Sequence, residues 1–166
     1  MTSTTAPDPV SVPVLRRGQN RFDGGCSSLL AYSFCRAMSL WGKGHHRFPP
    51  IEDENLGRLI RITPETKVQI EKDLGGKILL TPGHTDDSIS LRVGDAVFCG
   101  DAAMNGFPSM HRITIWIEDV EAYRQSWKLM MSEGIEVLLP GHGAPFRIGD
   151  LERNLTYVAD TRLRGL

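Results

Sequence analysis

The chain has 166 residues, 40% hydrophobic and 23% charged, an ordinary balance for one globular domain with a real core. A formal net charge of -1 leaves no basic footprint for nucleic acid or an anionic membrane surface, so neither is expected as a partner. Three cysteines, Cys26, Cys35 and Cys99, lack metal-type Cys-x-x-Cys spacing and read as buried or free thiols of a reducing compartment. Residues 1–9 carry no basic start, and nowhere do about 18 apolar residues run together. The expected location is cytoplasmic, and the expected organisation is a single domain over 1–166 with 1–9 as a lead.

In chain order, Val10, Val12, Val14 and Leu15 read as a short strand that Pro13 confines to an edge. Residues 26–40 read as a helix, ended by Gly42 and Gly44; the adjacent His45 and His46 point to opposite faces of an extended chain and read as surface histidines. A helical turn is expected within 51–59, and strands over 58–62 and 67–71, separated by Thr63-Pro64-Glu65-Thr66. Ile78, Leu79 and Leu80 form a strand that stops at Pro82-Gly83 and leaves His84 at its end. Ile89, Leu91 and Val93 alternate with Ser88, Ser90 and Arg92, the period of a half-buried strand, and Gly94-Asp95 turns the chain back into Ala96-Val97-Phe98. That second strand ends at Gly100-Asp101. Val120, Tyr123, Trp127, Met130 and Met131 have helical spacing, with Glu118-Asp119 at the start and Gly134 at the stop. Strand 135–139 then runs into Pro140-Gly141-His142-Gly143. A last helix, capped by Asp150, presents Leu151, Leu155, Val158 and Thr161 on one face.

Three strand ends therefore offer His84, Asp101 and His142. Imidazole and carboxylate are the ligands that zinc and similar ions accept, and a catalytic metal keeps about three protein ligands and an open position. Any one of these Gly-His or Gly-Asp pairs alone is equally turn chemistry. In their order, Thr81-Pro82-Gly83-His84-Thr85, Phe98-Cys99-Gly100-Asp101 and Leu139-Pro140-Gly141-His142-Gly143 resemble the second half of the metallo-β-lactamase superfamily, over roughly residues 45–148.

The resemblance implies an α/β fold, a truncated metallo-β-lactamase-like αβ/βα sandwich lacking several N-terminal strands. It also implies a metal groove at the sheet edges, where a metal-bound hydroxide attacks an ester, thioester or lactone. By position, His84 completes the first metal's set, Asp101 bridges and is the catalytic residue, and His142 belongs to the second metal. The superfamily's His-x-His-x-Asp-His motif is degenerate here. Gln19, Arg21 and Gly24 stand where histidines would be, and only Asp23 remains as a metal ligand. His111, in the loop that holds Asn105-Gly106 and Pro108, is a candidate for touching substrate. The implied cofactor is one zinc ion, or none in a degenerate site, with manganese or iron as substitutes. The expected partners are a small-molecule substrate and a second copy in a homodimer. The alternative to a hydrolase is a non-catalytic assembly or binding unit of the same fold.

Overall fold

The computed structural model describes residues 11–19, 23–43 and 47–166; Arg21, His45 and His46 lie outside the described residues. The elements are α1 (Ser11–Arg17), β1 (Gly25–Cys26), α2 (Leu29–Leu40), α3 (Asp53–Leu56), α4 (Pro64–Leu74), β2 (Lys77–Leu80), β3 (Ile89–Val93), β4 (Ala96–Gly100), β5 (Trp116–Ile117), α5 (Val120–Ser132), β6 (Val137–Pro140), β7 (Phe146–Arg147) and α6 (Gly149–Ala159). One five-stranded sheet runs in the order β2-β3-β4-β6-β7, and β1 pairs with β5 apart from it. β4 and β6 are parallel, joined by α5 in between, while the other neighbours are antiparallel. The result is a mixed α/β fold, as the motifs imply.

α5 and α6 cover one face of the sheet. The core joins Leu79, Val97, Cys99 and Leu138 of the strands to Tyr123, Trp127 and Met130 of α5 and to Leu151 and Val158 of α6. Burial pushes the Cys99 thiol up to about 12 and raises the Tyr123 phenol as well. Both are inert packing groups on that ground.

Five expectations about the elements are corrected. Of the strand placed at Val10, Val12, Val14 and Leu15, Val10 lies outside the described residues and the other three are in helix α1, because Pro13 falls in the first turn, where its missing N–H removes no bond. The strand over 58–62 is irregular chain and the strand over 67–71 lies inside α4. Here Thr63 and Thr66 form a reciprocal capping box, Pro64 sits at the first helical position and Gly75 closes the helix in the left-handed region at φ 63°. Val68 and Ile70 imitate a strand alternation, and the cap overrides it. Asp150 is not the cap of α6, whose N-cap is Ile148; the carboxylate instead holds Arg112 and Arg153. That helix ends at Ala159, short of Thr161.

The alternation of β3 has the right period and the opposite side. Ser90 is buried and bonded to Thr81 through their hydroxyls at 2.8 Å, while Ile89, Leu91 and Val93 share the face away from α5 and α6. Parity is decided by register with β2 and β4, where Leu79 and Val97 must meet the helices, and one residue inverts every side chain. The outward face is therefore apolar: Leu80 is 58% exposed, Ile89 47% and Phe98 52%.

At the far end of the sheet, Glu133 takes Lys77 Nζ at 2.7 and 2.8 Å and Arg92 Nη1 at 3.1 Å. Lys77 foremost, with Arg92 adding to it against some burial, holds Glu133 below its ordinary 4.5. A carboxylate depressed in the folded state adds stability above the unfolded value and loses it as pH falls through the folded one. The urea midpoint of wild type should therefore exceed that of Glu133→Gln at neutral pH. The gap should shrink progressively below about pH 4.5. A gap independent of pH would show that the pair contributes nothing.

Candidate functional site

His84 lies in the turn after β2, Asp101 just past β4, and His142 just past β6. The parallel pairing of β4 with β6 brings the last two to one edge of the sheet, and a register shift between Phe98 and Gly100 swings Asp101 off its strand. His84 Nε2 is 3.7 Å from Asp101 Oδ2, and His142 Nε2 is 3.8 Å from the same oxygen. The other oxygen, Asp101 Oδ1, is buried with no hydrogen-bond partner among the described residues.

Each loop is held from behind. Gly83 accepts with its carbonyl from Glu118 N at 2.8 Å and Asp119 N at 3.1 Å, and its φ of 130° with Tyr123 N only 2.3 Å from where a Cβ would stand admits glycine alone. Ser126 Oγ donates to Pro82 O at 2.7 Å. His84 Nδ1–H donates to Trp116 O at 2.8 Å, which leaves Nε2 of the neutral ring as the lone-pair nitrogen turned to Asp101. The His142 turn is clamped in the same manner. Asn105 N donates to His142 O at 3.1 Å and Asn105 Nδ2 to Ala144 O at 2.7 Å. Gly143 has φ 92° with Asn105 O 2.1 Å from its would-be Cβ. Behind Asn105 stands Arg112, bonded to its Oδ1 and, through Nε and Nη2, to Asp150 Oδ2 at 2.9 and 2.8 Å. The guanidinium lies 5.1 Å over the Phe146 ring.

Among the described residues no three His, Cys, Asp or Glu side chains close to full metal-ligand spacing. His84, Asp101 and His142 form an open set built on one carboxylate. Zinc bonds of about 2.0–2.2 Å put neighbouring ligand atoms roughly 3.3–3.6 Å apart in a tetrahedron, so 3.7 and 3.8 Å are wider by only a few tenths. Two imidazole nitrogens, one of them tethered, and a carboxylate are donor types that divalent ions accept.

Asp23 and His111 are not brought to this set. Asp23 is exposed and is absent from the groove lining, although its charge reaches Glu118; the chain there is pinned where Gly24 abuts the Ile117 and Glu118 backbone. His111 faces α6. Its ring stacks on Tyr157 at 3.7 Å, with Nδ1 3.2 Å from Asn154 Oδ1, and it is absent from the groove lining. The positive φ of His111 and Arg112, 57° and 64°, turns the loop that way, held by the Arg112 ion pair. A residue the sequence marked only as a helix-start signal does reach the groove: Glu118 Oε2 accepts from Asp86 N at 3.1 Å. Burial above all, then the carboxylates of Asp86 and Asp23, push Glu118 above the usual carboxylate range, opposed by that N–H and by His84. No sequence signal separates it from an ordinary first-turn acid.

The groove in front of the three residues has a volume of about 950 Å³. Its lining includes the strand-end turns, α2 and the 104–108 loop.

No family profile matches the chain. The atrochrysone carboxyl ACP thioesterase of Aspergillus fumigatus is 34% identical over 70 residues, 41% of this chain and 20% of that protein. The chain thus spans about a fifth of the curated relative's length. Among solved structures, similarity extends to an archaeal metallo-β-lactamase superfamily protein, ST1585 from Sulfolobus tokodaii, at 24% identity over 49% of this chain and 32% of that one, TM-score 0.40. ETHE1 from Myxococcus xanthus is 29% identical over 52% and 40%, TM-score 0.38. TTHA1623, in a di-iron-bound form, is 23% identical over 75% and 58%, TM-score 0.43. The chain resembles the metallo-β-lactamase superfamily. The three motifs sit in order at one end of the sheet, and the mixed α/β fold is consistent with a truncated metallo-β-lactamase-like one. No described helix is long and apolar enough to cross a membrane.

Replacing Gly83 by alanine adds overpacking against Tyr123 to backbone strain, a loss of roughly 2–5 kcal/mol. Urea unfolding of Gly83→Ala checks this; a midpoint equal to wild type would mean that the His84 turn is not locked to α5.

Proposed function

We propose that the protein is a metal-dependent hydrolase whose site is built on His84, Asp101 and His142. The observation that carries the reading is the pair of imidazole Nε2 atoms facing Asp101 Oδ2 at 3.7 and 3.8 Å while Oδ1 is buried without a partner. An ion between the two Nε2 atoms and Oδ2 would meet three protein donors at once. Zinc is the first choice, one ion, with manganese or iron as substitutes. A divalent ion held there lowers the pKa of a water toward neutrality and so supplies a nucleophile. The chain's own part is positioning. Trp116 O holds the His84 ring, Asp101 carries the charge, and Glu118 fixes the Asp86 backbone beside the groove. The proposed substrate is a small ester, lactone or thioester, with thioester favoured by the 70-residue likeness to a thioesterase. Asp23 is left out of the ligand set because it is exposed and absent from the groove lining.

Calorimetric titration of zinc and manganese into metal-free protein, followed by assay on a thioester and lactone panel, tests the reading. Asp101→Ala is expected to weaken metal binding by at least about tenfold and to abolish turnover. No binding at millimolar metal, or equal activity in the two proteins, removes the hydrolase.

A second reading, assembly without catalysis, is favoured by the outward sheet face, where Leu80, Ile89 and Phe98 stand exposed beside β2 at the end of the strand order. A second copy placed there by two-fold symmetry covers the same apolar face on both subunits. Light scattering is expected to give a dimer at micromolar concentration and a monomer for Phe98→Glu. A compact wild-type monomer would eliminate this pairing.

A further inference from the structure

The groove has a wall that metal chemistry does not use. Besides His84, Asp101 and His142, its lining includes Phe34 and Met38 of α2 and Met104, Phe107 and Pro108 of the loop after β4. Phe107 is 78% exposed and is propped edge-to-face on Phe34, with ring centroids 6.1 Å apart and planes at 88°. An exposed aromatic braced by a second one across a groove offers apolar area to a ligand at little cost in lost side-chain freedom. The volume of about 950 Å³ is at the upper end of what small-ligand sites use, and larger than an acetyl group needs.

Resting on the hydrolase reading, we propose that this wall selects substrates with an apolar acyl chain, which lies against Phe34 and Phe107 while its carbonyl faces Asp101. Phe34 and Phe107 are then specificity-determining residues, and the scissile ester or thioester bond is placed by the chain rather than by its leaving group. Each methylene laid against the wall adds about threefold to fourfold in affinity until the wall is covered.

The experiment separates binding from turnover. Octanamide, a neutral and stable stand-in for an octanoyl thioester, is titrated calorimetrically against the full chain, with acetamide as the short comparison. Octanamide should bind at least tenfold more tightly than acetamide. Phe107→Ala and Phe34→Ala should each weaken it by at least fivefold, with circular dichroism and zinc affinity unchanged. Phe98→Ala, on the outward sheet face, should leave octanamide binding as in wild type. In turnover, kcat/KM should rise from acetyl to butyryl to octanoyl thioesters, and the two groove variants should flatten that series through KM. Equal affinity for the two amides, or an equal loss in Phe98→Ala, overturns the proposal. Selective octanamide binding with no turnover on any thioester leaves the acyl site standing and removes the hydrolase instead.

Discussion

Three buried polar handles on one helix hold the whole edge of the sheet. From α5, Tyr123 Oη accepts Thr114 N at 3.1 Å, Ser126 Oγ donates to Pro82 O at 2.7 Å, and Trp127 Nε1 donates to Ala102 O at 2.7 Å. Each bond satisfies a backbone group in a loop that would otherwise be buried unpaired, and each loop carries or flanks a member of the site. The apolar bodies of Tyr123 and Trp127 fill the core at the same time. The helix that stabilises the fold is thereby the helix that positions His84, Asp101 and the strand bearing Trp116. Loss of packing under α5 and loss of geometry at the groove are one event.

Charge at the groove is arranged around a deficit. Asp86, Asp87, Asp101 and Glu118 line it, and Asp101 leaves one buried oxygen bare. Burial foremost, with the carboxylates of Asp86 and Asp23 adding to it, raises Glu118 in this cleft. The two imidazoles answer only part of this, since His84 spends its Nδ1–H on Trp116 O. The same groove is lined by apolar side chains of α2 and the 104–108 loop, so polar and apolar surfaces meet in it.

The other face of the sheet has no such partner among the described residues. α4 meets β2, where Glu71 Oε1 accepts from Ile78 N at 2.7 Å and Ile78 is buried. Beyond that, Leu80, Ile89 and Phe98 remain outward. An apolar sheet face of this kind is one that a second layer covers in two-layer folds.

Turn chemistry and helical spacing were legible in the residues themselves. Pro82-Gly83, Gly94-Asp95, Gly134 and the Val120 to Met131 pattern mark β2, β3, β4, α5 and β6, and with them the three strand ends that carry His84, Asp101 and His142. These signals are local, since glycine and proline constrain φ and ψ whatever surrounds them. Where two local signals competed, the weaker one misled: the alternation in 67–71 hid the Thr63 cap of α4. Tertiary structure alone decided which face of β3 is buried, that Asp150 holds Arg112 instead of capping α6, and that His111 stacks on Tyr157. It also decided that Glu118 reaches the groove while Asp23 stays beside it. Those outcomes depend on register, on which charged partner arrives from a distant element and on how far a side chain is desolvated, none of which is a property of neighbouring residues. The residue types of the site were thus set by short motifs, and their convergence on one carboxylate oxygen was set by the parallel pairing of β4 with β6 under α5.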